Sequence, residues 1–255
     1  MALLEVQHLK KVYTQRFGNQ QVQALRHVHF DVDHGEYVAI MGESGSGKTT
    51  LLNILASLDK PTSGKVLLNG EDITTIKEKH ISAFRRDHLG FVFQDFNLLD
   101  TFSLRDNIYL PRILAGDQEK RIAKDLEPLA AQLRITALLD KYPYEVSGGQ
   151  KQRAAVARAL ITKPDLVLAD EPTGALDSRS SDDLLQLFHE INAQGQTIVM
   201  ATHSTKAASM AKRVLFIKDG EVFHELYRGD KSPEAMFATI SDTLTLLAKG
   251  GESHV

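Results

Sequence analysis

Hydrophobic positions change period several times along the chain, and each change marks an element. Val28, Phe30 and Val32 alternate with polar neighbours, as in a strand with one buried face, whereas Tyr37-Val-Ala-Ile-Met41 is apolar throughout. Leu51, Ile54, Leu55 and Leu58 recur at helical spacing, so a buried strand leads through glycines into an amphipathic helix. Lys65-Val-Leu-Leu-Asn-Gly70 ends in the Asn-Gly pair typical of a tight hairpin, and to about Asp72 the pattern is otherwise that of strands. From about Phe96 to Leu160 it turns mostly helical, punctuated by Gly116 and Pro143, which predicts a helical subdomain. Leu166-Val-Leu-Ala169 and Thr197-Ile-Val-Met-Ala201 are short continuous apolar runs, as expected of strands covered on both faces in a parallel sheet. A helical stretch from Asp182 to Asn192 separates them. Val214-Leu-Phe-Ile217, Asp219-Gly220 and Glu221-Val-Phe223 predict a second hairpin, and the polar end KGGESHV is expected to fray. The class predicted is α/β.

Composition narrows the picture. With 255 residues the chain can bury a sizeable core, and 42% hydrophobic against 25% charged residues is ordinary for a globular protein. No window approaches the eighteen or so apolar residues of a membrane span, and the start MALLEVQHLKKVYT lacks a secretory pattern, so a soluble, cytoplasmic chain is expected. The absence of cysteine excludes disulfides and thiolate metal sites. A net charge of −3, with charges interspersed, does not favour nucleic acid as a partner.

The glycines at the strand-to-helix junction carry the sharpest chemistry. Gly42-Glu43-Ser44-Gly45-Ser46-Gly47-Lys48-Thr49 matches G-x-x-x-x-G-K-[ST]. Glycines let successive N–H groups turn onto phosphate oxygens, the following helix adds positive potential, Lys48 reaches the β and γ phosphates, and Thr49, followed by Thr50, suits Mg²⁺. Asp170 and Glu171 end a buried strand. Either they cap the next element of the chain, or the first positions Mg²⁺ and the second polarises a water; the phosphate loop upstream favours the second reading. His203 comes just after the strand 197–201 at the edge where ligands of parallel sheets gather, and is readable as a γ-phosphate or water contact or as an ordinary histidine. Taken singly, Tyr13 reads as packing and Gln94 as a strand end.

In series these residues say more. The phosphate loop, Gln94, Ser147-Gly148-Gly149-Gln150, Asp170-Glu171, Gly174-Ala-Leu-Asp177 and His203, in that order, resemble the ATP-binding subunit of ABC transporters over nearly the whole chain. The Ser-Gly-Gly-Gln element is the specific part, because most P-loop ATPases lack it. The resemblance implies a P-loop NTPase with a RecA-like, mainly parallel sheet. It also implies one ABC ATPase domain over 1–255: a core with an antiparallel β subdomain in 1–94 and 161–230, a helical signature subdomain in 95–160 and a tail in 231–255. It further implies that Tyr13 stacks on adenine, that Gln94 touches Mg²⁺ and the attacking water while hinging the helical subdomain, and that Glu171 is the catalytic carboxylate. Asp177 would communicate between the sites of a dimer and His203 would be the switch near the γ-phosphate. In such a homodimer, Ser147 and the backbone of Gly148 and Gly149 cap the γ-phosphate of ATP held by the other copy's loop, so helix N-termini from both copies converge on one anion.

The partner implied is a membrane permease at the cytoplasmic face, gripped by a surface beginning Gln94-Asp-Phe-Asn-Leu-Leu99. Leu52-Asn-Ile-Leu55 through Thr62-Ser-Gly64, with Gly90 to Thr101 and Asn107-Ile108, resemble the branch that holds macrolide-export, lipoprotein-releasing and cell-division ATPases. Within it, Phe91-Val-Phe-Gln-Asp-Phe-Asn-Leu-Leu-Asp-Thr101 is most similar to the bacitracin-resistance type of antimicrobial-peptide transporter. Transporters of that type pair with a large permease and often a sensor kinase. Chromosome-maintenance and DNA-repair clamps fit poorly because the stretch from Thr49 to Ser147 is too short for their coiled coils, and translation factors carry two cassettes where this chain has one.

Overall fold

The computed structural model describes residues 2–14 and 21–250, with side chains to 247. Among these residues one sheet runs β5-β4-β1-β2-β10-β9-β3-β8-β7-β6. Its parallel half consists of β3 (Tyr37–Met41), β6 (Leu89–Val92), β7 (Leu166–Asp170), β8 (Thr197–Thr202) and β9 (Arg213–Lys218). The antiparallel half contains β1 (Ala2–Thr14), β2 (Gln21–Asp33), β4 (Ser63–Leu68) and β5 (Glu71–Asp72). Strand β10 (Glu221–Tyr227) joins the halves: antiparallel to β9, it touches β2 in parallel at Glu221 and His27.

Both predicted hairpins close through two residues at positive φ, Asn69 and Gly70 at 50° and 80°, Asp219 and Gly220 at 50° and 78°. Turns with that backbone match the twist of the strands they join. The parallel strands alternate between two cores. Ala39, Val167, Ala169, Ile198 and Met200 face one side, while Val38, Ile40, Leu166, Leu168 and Val199 face the other. Burying a large side chain there contributes about 1.5–3 kcal/mol.

Helices cover both faces. Helix α1 (Lys48–Leu55) packs in the core that includes β1, β2 and β4. Helix α2 (Glu78–His88) precedes β6, and α3 (Leu104–Leu114), α4 (Glu119–Gln132) and α5 (Gly148–Leu160) lie in the region predicted to be helical. Helix α6 (Ser178–Ala193) connects β7 to β8, α7 (Thr205–Ser209) connects β8 to β9, and α8 (Pro233–Gly250) ends the description.

Three local expectations need correction. Leu58 is not on the buried face of α1 but is 51% exposed. The helix stops at Leu55 because Ser57 turns left-handed (φ 56°), with Ser57 N–H donating to Ile54 O at 2.9 Å and Leu58 N–H to Asn53 O at 2.8 Å, a Schellman closure. Helical structure after Phe96 begins only at Leu104, where Ser103 and Asp106 form a capping box. Helix α6 starts four residues before the expected Asp182, at Ser178, because Asp177 accepts from Ser180 N–H. Helix α8 buries Met236 and Ile240 and runs to Gly250; the rest of the polar end expected to fray, residues 251–255, lies outside the described residues.

Candidate functional site

The glycine loop leaves β3 and enters α1 at the carboxyl edge of the parallel strands. Gly47 has φ 105°, and a Cβ there would stand 2.6 Å from Ala24 O, so the loop passes too close to β2 for any other residue. The Lys48 ammonium is folded into the loop, donating to Gly42 O at 2.8 Å and to Glu43 O at 2.9 Å. Ser44, Gly45, Gly47, Lys48, Thr49 and Thr50 line a cavity of about 430 Å³ that they share with Gln94, Glu171 and His203. Ser46 Oγ is buried against Gly42, outside the lining of this cavity, without a hydrogen-bond partner among the described residues.

Across the cavity, β7 delivers the acidic pair. Thr49 Oγ1 donates to Asp170 Oδ1 at 3.4 Å. Burial pushes the Asp170 carboxyl above its ordinary range, with the donation from Thr49 and the Lys48 charge opposing and the Glu171 charge assisting. Glu171 has left-handed backbone (φ 45°), its N–H donates to Ala201 O at 2.9 Å, and a turn closes from Gly174 N–H to Glu171 O at 2.9 Å. His203 reaches Glu171 twice, through Nδ1 at 2.9 Å and backbone N–H at 3.3 Å. Gln94 lies over the same turn: a Cβ on Gly174 would stand 3.0 Å from its Cδ.

Tyr13 is placed at the rim. It pairs with Val22, which lines the cavity, and its hydroxyl donates to Asp59 Oδ2 at 2.7 Å. Lys11 Nζ stands 4.7 Å from the centre of the ring and donates to Asp59 Oδ1 at 2.6 Å. Burial and the bond to Asp59 raise the Tyr13 pKa; burial also pushes Asp59 up, but donation from Lys11, Tyr13 and Lys60 N–H outweighs it and holds that carboxyl below its ordinary range.

The remaining predicted residues form a second group, none of which lines this cavity. Ser147 caps α5, its hydroxyl accepting from Gln150 N–H at 3.4 Å while Gln150 Oε1 accepts from Ser147 N–H at 3.0 Å. Gly148 and Gly149 back onto the turn that starts α6: a Cβ on Gly148 would stand 3.5 Å from Leu176 Cδ2, and one on Gly149 2.8 Å from Ser180 Oγ. Asp177 accepts from both Ser180 N–H and Ser180 Oγ, bonds that hold its carboxyl below the usual range. Asp59 and Gln152 escaped sequence reasoning. Asp59 gives no local signal, whereas Gln152 could have been noticed as a polar residue on the alanine-rich, buried face of α5.

The donor set fits a nucleoside triphosphate with Mg²⁺. The loop supplies a glycine cradle and an ammonium for phosphate, and Thr49 with Asp170 supplies the hard oxygens that Mg²⁺ prefers. Among the described residues no group of three or more His, Asp or Glu side chains could hold a metal alone.

Comparison with known proteins agrees. The ABC transporter family profile matches residues 25–174. The chain is 47% identical over 253 residues to the ABC transporter ATP-binding protein YxdL of Bacillus subtilis, covering 99% of this chain and 96% of that one. It is 45% identical over 255 residues to the bacitracin export ATP-binding protein BceA of Halalkalibacterium halodurans, covering 100% of each. Among solved structures, the dimeric bacterial ABC transporter cassette MJ0796 superposes with a TM-score of 0.80 at 36% identity, over 88% of this chain and 98% of its own. A post-hydrolysis dimer of that cassette, bound to ADP and Pi, matches equally. With the cassette fold, the glycine loop and these relatives in agreement, the chain belongs to the ABC transporter family, as an ATP-hydrolysing, ATP-binding subunit.

Proposed function

We propose that two copies of this chain close head to tail over ATP and drive a membrane permease that confers resistance to antimicrobial peptides of the bacitracin class. The observation that carries the reading is the split of the site. The glycine loop, Gln94, Glu171 and His203 share one cavity, whereas Ser147 to Gln150, at an exposed helix start, line no part of it. The second group needs another molecule's phosphate to serve.

In this reading Lys48 and the loop N–H groups hold the β and γ phosphates, and Tyr13 stacks on the base. Glu171 accepts hydrogen from the attacking water, or orients it, and His203 steadies Glu171 while bonding the γ-phosphate. Gln94 reports the state of that phosphate to the helical subdomain. Thr49 and Asp170 are the residues that would hold Mg²⁺, which neutralises phosphate charge when bound. Both copies grip the γ-phosphate, so its loss weakens the closed pair, and that difference in affinity moves the permease between two states.

The permease surface is the exposed edge of the helical subdomain. Leu99 and Phe102 are exposed, and Phe91, Phe93, Asn97, Leu110, Pro111 and Leu114 line a groove. Among the described residues no helix is long and apolar enough to cross a membrane, so transport requires that partner. The chain then sits at the cytoplasmic face, and a sensor kinase reaches it through the permease. Co-purification of the tagged chain tests this: a retained permease is expected, and recovery of ribosomes or DNA without one would overturn the transport reading.

A further inference from the structure

Gln152 is fully buried on α5, one turn beyond Ser147. Its Nε2 donates to Phe93 O at 3.0 Å and to Pro172 O at 2.8 Å. Two carbonyl acceptors fix the orientation of the amide, because the opposite flip would set oxygen against oxygen. Its own Oε1 is buried with no partner among the described residues. An unpaired buried acceptor is unfavourable, so what this position gains from glutamine is the double donation.

Both acceptors belong to the hydrolysis site. The Phe93 carbonyl lies in the planar peptide unit that carries the Gln94 N–H, so holding one orients the other. The Pro172 carbonyl lies in the central peptide of the turn from Glu171 to Gly174, the turn over which Gln94 packs. One side chain on the signature helix therefore grips the backbone beside Gln94 and beside Glu171.

We propose that Gln152 is a positioning residue through which rotation of α5 is transmitted to Gln94 and Glu171 together, so that water is aligned only when the Ser147 end is engaged by the second copy. This rests on the roles proposed for Gln94 and Glu171. Gln152 touches neither nucleotide nor water; it acts through the two turns it holds.

The test is steady-state hydrolysis and ATP binding by the full chain with Gln152→Met, Gln152→Glu, Gln94→Ala and the double variant Gln152→Met/Gln94→Ala. Methionine keeps the volume and removes both donors. Its kcat is expected to fall roughly ten- to a hundredfold, as misplacement of a reacting group does, with KM and ATP affinity within about twofold of the parent. Buried against two carbonyls, Gln152→Glu is protonated and keeps one donor, so its kcat is expected between those of the parent and Gln152→Met. In the Gln94→Ala background the methionine substitution should cost much less than alone, because the pair act as a unit. Unchanged kcat, an equal loss of ATP affinity, or full additivity with Gln94→Ala overturns the proposal. Should Gln152→Met fail to fold, the same cycle is read with Gln152→Glu. Normal turnover by Gln94→Ala and Glu171→Gln would instead sink the site reading itself, a distinguishable result.

Discussion

His203 meets both carboxylate oxygens of Glu171: its backbone N–H donates to one at 3.3 Å, and its imidazole Nδ1 stands 2.9 Å from the other. The carboxylate lies in the cavity beside the glycine loop. Glu171→Gln preserves the shape and removes the basicity. It should bind ATP as the parent does and hydrolyse it about two to four orders of magnitude more slowly, the range for a positioned acid or base. Single-turnover release of phosphate measures this, and near-normal turnover would remove Glu171 from the reaction.

Ser147→Arg places a bulky cation at the start of α5, where a second copy's phosphate is expected. Monomer binding of ATP should be unchanged within about twofold, since the loop cavity does not include this residue, while the closed pair should not form. Loss of the cap costs about 1 kcal/mol of stability, which leaves the chain folded. Gel filtration with ATP in the Glu171→Gln background reads the outcome; a dimer of the double variant is incompatible with capping in trans.

Tyr13 presents an exposed ring whose hydroxyl is tied to Asp59. If the ring carries a base by stacking, Tyr13→Ala should weaken ATP binding about tenfold, in line with the usual worth of one aromatic–base stack. Tyr13→Phe keeps the stacking face and should change affinity by no more than about twofold. Equal losses for both variants in titration calorimetry would show that the hydroxyl, not the ring, matters.

Asp170 has its carboxyl raised by burial. The folded chain therefore binds a proton more readily there than the unfolded one, and stability falls as pH rises from the ordinary carboxylate range through the raised value. Above that window Asp170→Asn should melt about 2 °C higher than the parent without nucleotide, with a flatter pH dependence. The same variant should hydrolyse ATP poorly, as the oxygen suited to Mg²⁺ is gone. A lower melting temperature at neutral pH would contradict the assigned cause of the shift.

Much of this was legible in the chain because it rests on local chemistry. The apolar runs of β7 and β8 admit few alternatives to buried parallel strands, and the loop at 42–49 declares itself by glycine spacing. Other features depend on tertiary neighbours. Helix α2 buries only Phe84, too little for periodicity to reveal it. Helix α8 does carry Met236 and Ile240 at helical spacing, but its polar end masked the pattern. The partners of Gln152, at positions 93 and 172, are remote along the chain, and spacing cannot foresee them.

A hydroxyl owns two lone pairs and a single hydrogen. As a cap, Ser147 uses only a lone pair, toward the amide of Gln150. The hydrogen stays free for an oxygen arriving from outside, so anchoring the helix and greeting a visitor draw on separate halves of one small group. Under the proposed capping in trans, docking and departure would recur through every catalytic cycle without unwinding the first turn.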